Sequence, residues 1–136
     1  MLEAAAAEAA TIEAPTCPMT GQELYRFLDD FGALISVRAD GSTWLQTLDD
    51  RRWRCVRRKA DDVSLERWTN AKLRQKRALA DAAPWRLGVD EIPSLDELEE
   101  WASDGICPTV DGEHTVEPDG HGPTGCPSWL LALGIL

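Results

Sequence analysis

Residues 33–48 read ALISVRADGSTWLQTL, and this stretch decides what kind of fold the chain can form. Leu34, Ile35 and Val37 are aliphatic side chains of the kind that fit a pleated surface. Asp40-Gly41 follows, a pair that supplies the positive φ of a tight hairpin turn, and Thr43 to Leu48 reads as the returning strand. A third strand is expected at Trp53 to Val56 after the Asp49-Asp50 turn, which makes a small antiparallel sheet of two to three strands. In RRWRCVRRK, residues 51–59, alternation puts Trp53 and Cys55 on one face and Arg52, Arg54 and Val56 on the other. Cys55 is then expected inside as a small core residue, since free cysteine is among the most buried residue types.

Helices are expected on either side of this sheet in sequence. TGQE, residues 20–23, has the form of a capping box, with Met19 and Leu24 placed as a hydrophobic staple. Leu24, Phe27, Leu28 and Phe31 follow at i, i+3, i+4 and i+7, which predicts a first helix that Gly32 ends. Asp62 is placed to cap a second helix from Val63 to about Ala83, with Leu65, Trp68 and Leu79 on its apolar side and Pro84 stopping it. SLDE, residues 94–97, is a further capping box and opens a short helix with Leu95, Leu98, Trp101 and Ala102 inward, before Gly105. Ser128 can cap a last apolar turn in WLLALGIL.

The order of elements predicts an α+β fold, its three helices segregated to one side of the sheet and a long C-terminal loop, metal-ordered or irregular. Residues 1–16, rich in Ala and Glu, are expected to be a disordered leader; 17–104 form the core domain, and 105–136 form a Cys/His loop and an apolar segment packed on that core. At 136 residues and 43% hydrophobic content the chain can fill one modest core. No apolar run of membrane-spanning length and no basic, apolar leader is present, so a cytoplasmic protein without a membrane partner is expected. In that reducing setting clustered cysteines read as metal ligands or buried thiols. There is no Gly-rich phosphate loop and no internal repeat.

Charge is divided unevenly along the chain. Residues 51–86 hold twelve of the fourteen Lys and Arg against four acids, a local charge of +8 within a chain of net charge -10. The last fifty residues contain eleven carboxylates and no Lys or Arg. Arg51, Arg52, Arg54, Arg57, Arg58, Lys59, Lys72, Arg74, Lys76 and Arg77 are therefore the candidate contacts to nucleic acid or to an acidic partner, with Trp53 interleaved to stack on bases. The competing expectation is that this block pairs with the chain's own acidic helix at Asp96–Glu100 and its acidic loop.

CPTVDGEHTVEPDGHGPTGC, residues 107–126, contains both histidines and two of the four cysteines. Cys107, His114, His121 and Cys126 are two thiols and two imidazoles, a ligand set that structural zinc accepts. The segment is rich in Gly and Pro and poor in large apolar residues, so metal binding is one way to offset its ordering entropy. An unmetallated acidic loop, a Cys107–Cys126 disulfide in an exported protein, and a catalytic metal with Glu113, Glu117 or Asp119 as base are the alternatives. With both histidines in this loop, acid-base catalysis elsewhere has no imidazole to use.

VEPDG, residues 116–120, followed by GCPSWLLALGIL, residues 125–136, and preceded by the acidic LEEWASDG helix and a Cys, resembles the tail of a scattered set of small prokaryotic proteins. The resemblance covers Trp101 to Leu136 and implies no known activity. It implies a metal site with shifted ligands: His114 stands where those tails have Cys, Gly122 and Thr124 occupy the places of their Cys and His, and His121 and Cys126 lie just outside. The expected function is thus a small non-enzymatic accessory or regulatory protein, of a phage or mobile element, that binds a protein partner or nucleic acid. A metal-dependent hydrolase built on the Cys107–Cys126 loop and a purely structural protein are the alternatives.

Overall fold

The Asp40-Gly41 turn closes a hairpin between β2 (Leu34–Arg38) and β3 (Ser42–Gln46). Gly41 has a φ of 93° and its N–H donates to the Arg38 carbonyl at 3.2 Å, while Asp40 Oδ1 accepts from the Ser42 N–H at 3.0 Å. Ile35 is paired with Leu45 and Val37 with Thr43. In the computed structural model, which describes residues 21–135, this hairpin is the centre of a four-stranded antiparallel sheet of order β1-β2-β3-β4. The outer strands are β1 (Glu23–Leu28) and β4 (Arg54–Arg58).

β1 replaces the first predicted helix. Its apolar run is short enough to match both periods, and what selects the strand is that it can be buried on both faces. Tyr25 and Phe27 stack at 5.7 Å on one side, while Leu28 points to the other and pairs with Leu34. Phe31, the fourth member of the expected helical stripe, is 91% exposed. Asp29 Oδ1 accepts from the N–H groups of Phe31 and Ala33, so DDFG forms the β1–β2 turn instead of a helix end. Thr20 and Met19 of the expected cap, like Cys17 and the leader, lie outside the described residues.

α1 (Leu65–Ala82) is capped by Ser64, whose side chain accepts from the Arg67 N–H, and not by Asp62. A 3-10 turn follows at Pro84–Arg86, and Leu87 then bridges to Phe27, covering the outer edge of β1. α2 (Leu95–Asp104) begins with the predicted Ser94–Glu97 capping box and ends on Gly105, which has a φ of 74°. Cys107–Pro108 (β5) and Thr115–Val116 (β6) make a two-stranded ladder, and Ser128 caps α3 (Trp129–Ala132).

The helices do not gather on one side. Alternation along β1 and β2 sends Tyr25 and Val37 against Trp68 of α1, while Leu28 and Leu34 pack with Ile92, Leu98, Cys107 and Leu130 on the opposite face. The sheet separates two apolar clusters, and the larger one is built mainly by the C-terminal third of the chain.

Candidate functional site

β4 lies at the edge of the sheet and all five of its residues are exposed. Its pairing with β3 carries a bulge at Val56, between the Thr43–Arg57 and Trp44–Cys55 pairs. Cys55 is therefore a free, exposed thiol, which corrects its expected burial: among the described residues no element covers the edge beyond β4. Trp53 is half-buried against the larger cluster, with the Arg26 guanidinium 5.3 Å from its ring centroid. It is not free to stack on a base.

Arg57 pairs with Thr43, which pairs in turn with Val37, so the Arg57 side chain lies on the α1 side of the sheet. Helix α1 brings Lys72 to it. Lys72 Nζ stands 5.8 Å from the Trp68 ring centroid, and its pKa is lowered by burial and then by the neighbouring Arg57 charge. Further along α1, Lys76 lines a cleft with Tyr25 and Arg26 of β1. Arg67, Arg74 and Arg77 are exposed on its outer side, and Arg67 and Arg74 are seven residues apart, hence on one stripe. Arg67 was absent from the sequence candidates, though its spacing from Arg74 marks it.

The ten candidates divide by what they already hold. Arg51 donates to the carbonyls of Pro93 at 3.1 Å and of Ile92, tying the segment before α2 to the sheet. Arg52 forks onto Asp50 at 3.1 and 3.2 Å, and Arg54 reaches the same carboxylate at 3.5 Å. Arg57, Arg58, Lys59, Lys72, Arg74, Lys76 and Arg77, with Arg67, have no ion pair among the described residues. The acidic stretch Asp96–Glu100 likewise makes none with them, so these eight members of the basic block have no ion-pair partner within the described chain.

The four Cys/His candidates are separated by burial. Cys107 and Cys126 are 0% and 1% exposed, inside the larger apolar cluster, whereas His114 and His121 stand at the surface. The Thr109–Ser128 bridge runs antiparallel, which sets Asp111 and not Cys107 level with Cys126. Burial raises the Cys126 pKa, and the Asp111 carboxyl is held below its usual range by bonds from Thr109 Oγ1 at 2.7 Å and the Glu113 N–H at 3.0 Å. Among the described residues no group of three or more His, Cys, Asp or Glu side chains is placed to hold a metal ion. Cys55, Cys107 and Cys126 are free.

Nor is the loop without a core, as its composition suggested. Val110 N–H donates to the Pro127 carbonyl, Gly122 N–H to that of Cys126, and Ser128 N–H to that of Gly120, so small side chains are packed in by backbone pairing. Among the described residues no helix is long and apolar enough to cross a membrane. Compared with known proteins, the chain matches no family model, no curated protein and no solved structure.

Proposed function

We propose that this is a non-enzymatic accessory protein that holds a polyanion, in the first place a nucleic-acid phosphate backbone, against the face formed by β4 and α1. One observation supports this above others: eight Lys and Arg side chains on β4, the residue after it and α1 lack a carboxylate partner among the described residues. Cations held close together repel one another, and the Lys72 pKa is lowered first by burial and then by the Arg57 charge; a row of phosphates neutralises such charges and releases its own counterions as it does so. Contact is by charge without base stacking, because Trp53 and Trp68 are packed inward. It therefore reads no sequence.

Anisotropy of a labelled duplex of arbitrary sequence tests this. Binding should weaken steeply between about 50 and 200 mM salt, with a log–log slope near -0.9 per phosphate engaged. Arg57→Glu, Arg74→Glu and Arg77→Glu together should abolish it at an unchanged melting temperature. No binding at low salt, or full binding by the triple variant, rejects the proposal.

A protein partner has its own supporting observation, the open edge of β4, where Val56 is 51% exposed at a bulge. An extended acidic segment can add there as a fifth strand. Val56→Pro removes a main-chain donor from that edge but leaves every charge. Loss of binding in this variant selects the strand, and unchanged binding selects the phosphates.

Structural zinc at Cys107, His114, His121 and Cys126, and the hydrolase that would use it, rest on the residue types and composition of the loop alone. Metal analysis of the purified protein and its Cys107→Ser and His114→Ala variants tests both. Stoichiometric zinc lost in either variant supports the site, and unchanged metal content rejects it.

A further inference from the structure

The Asp40-Gly41 turn joins two points that are far apart in the chain. Gly21, where the described residues begin, sits against Asp40: a Cβ built on it lies 3.5 Å from that of Asp40, and Arg38 Nη2 donates to the Gly21 carbonyl. On the other side of the turn the Lys59 N–H donates to the Gly41 carbonyl at 2.8 Å, and the Lys59 side chain lies along Gly41. Residues 1–20 are therefore joined to the fold at the end of the sheet where β4 runs out in Arg57, Arg58 and then Lys59. None of these three has an ion pair among the described residues, and Lys72 of α1 stands beside Arg57. Residues 1–20 contain Glu3, Glu8 and Glu13 and no Lys, Arg or His. Glu13, eight residues before Gly21, can stand up to about 26 Å from it, and Glu8 up to about 43 Å, at about 3.3 Å per residue. The sheet is only about 14 Å across from β1 to β4, three strand spacings of about 4.8 Å, so the carboxylates reach the basic strand. The acidic helix α2 does not, because Leu98 packs it on the face of the sheet opposite α1.

We propose that residues 1–20 dock in cis on the β4 end of the cationic face, Glu3, Glu8 and Glu13 meeting Arg57, Arg58, Lys59 and Lys72, and so compete with a polyanion for it. Exposed ion pairs are individually weak, but a segment joined this close to its site is present at an effective concentration in the millimolar range. The contact is made by side-chain charge and leaves the main-chain edge of β4 open. It makes the face self-screened at low salt and hands it over to a ligand with more negative charge. The competition rests on the polyanion reading above, whereas the docking itself does not.

The test uses the full chain and its triple variant Glu3→Gln, Glu8→Gln and Glu13→Gln. Without duplex, the backbone amide resonances of Arg57, Arg58, Lys59 and Lys72 should differ between the two, and the difference should vanish at about 0.5 M salt, where exposed charges are screened. With labelled duplex at about 50 mM salt, the triple variant should bind about tenfold tighter. A control variant with Glu99→Gln, Glu100→Gln and Asp104→Asn, three exposed carboxylates of α2, should bind within about twofold of the unaltered chain. Identical amide resonances overturn the docking, and so does a difference that grows with protein concentration, which places the segment on a second copy. Unchanged duplex affinity in the triple variant, or an equal gain in the α2 control, overturns the competition. Shifted amides with no duplex bound by any of the chains uphold the docking and reject the polyanion reading alone.

Discussion

Helix α1 and the C-terminal segment 105–135 are opposites. α1 has eighteen residues of regular backbone and buries one of them, Trp68. The C-terminal segment has little regular structure, yet it buries Cys107, Thr109, Val110, Cys126, Trp129 and Leu130. The helix satisfies its backbone internally and leaves its side chains to the solvent, where Arg67, Arg74 and Arg77 are free for a partner. The irregular segment is held by cross-loop backbone bonds and by its share of the core. Regularity and burial are thus separate properties, and here the regular element presents the charge while the irregular one anchors the fold.

This contrast can be broken by substitution. Leu130→Ala, at a fully buried position, should cost about 3 kcal/mol of unfolding free energy in a denaturant titration. A loss under 1 kcal/mol would show the C-terminal segment to be peripheral. In a Cys17→Ala background, thiol labelling of the native protein should modify Cys55 at once, with Cys107 and Cys126 at least about a hundredfold slower because they require local opening. Equal rates would mean that the segment is not packed. Ser128 caps α3 through the Leu131 N–H at 3.1 Å and also donates to the Pro118 carbonyl, so Ser128→Ala should cost about 1–2 kcal/mol.

Glu23 sharpens the comparison from the side of the sheet. Burial pushes its pKa up, but hydrogen bonds from Ser36 and Arg26 and the charges of Arg26 and Arg38 outweigh this, and the result lies below the ordinary 4.5. The stability it contributes is present above that value and is lost as pH falls through the lower, folded value. Glu23→Gln should therefore cost about 1 kcal/mol at neutral pH and flatten the acid limb of the stability profile below pH 4.5. The smallest effect is expected at Leu65→Ala, 44% exposed at the start of α1, which should change stability by less than about 0.5 kcal/mol.

What could be read in the chain beforehand was local. Asp40-Gly41 specifies its turn by backbone conformation, Ser94 and Glu97 satisfy each other's backbone donors, and Pro84 and Gly105 end helices by their own geometry. None of these needs a distant partner, and the α+β class follows from them. The basic block was also legible as composition, since charge is counted without coordinates. Which of its members are free was not: Arg51, Arg52 and Arg54 are engaged by Asp50 and by two carbonyls some forty residues away in sequence.

The remaining features were decided by tertiary structure, for the same physical reason in each case. The run from Leu24 to Leu28 fits a helix or a strand by pattern, and it became β1 because β2 offers a ladder and both sides offer apolar cover. Cys55 looked internal by alternation and is exposed because the sheet ends at β4. Cys107 and Cys126 were candidate ligands by residue type, and that they lie in a core completed by Leu28, Leu34 and Leu98 was not visible from the chain alone. Burial depends on what packs against a residue, and a sequence read locally does not contain its neighbours in space.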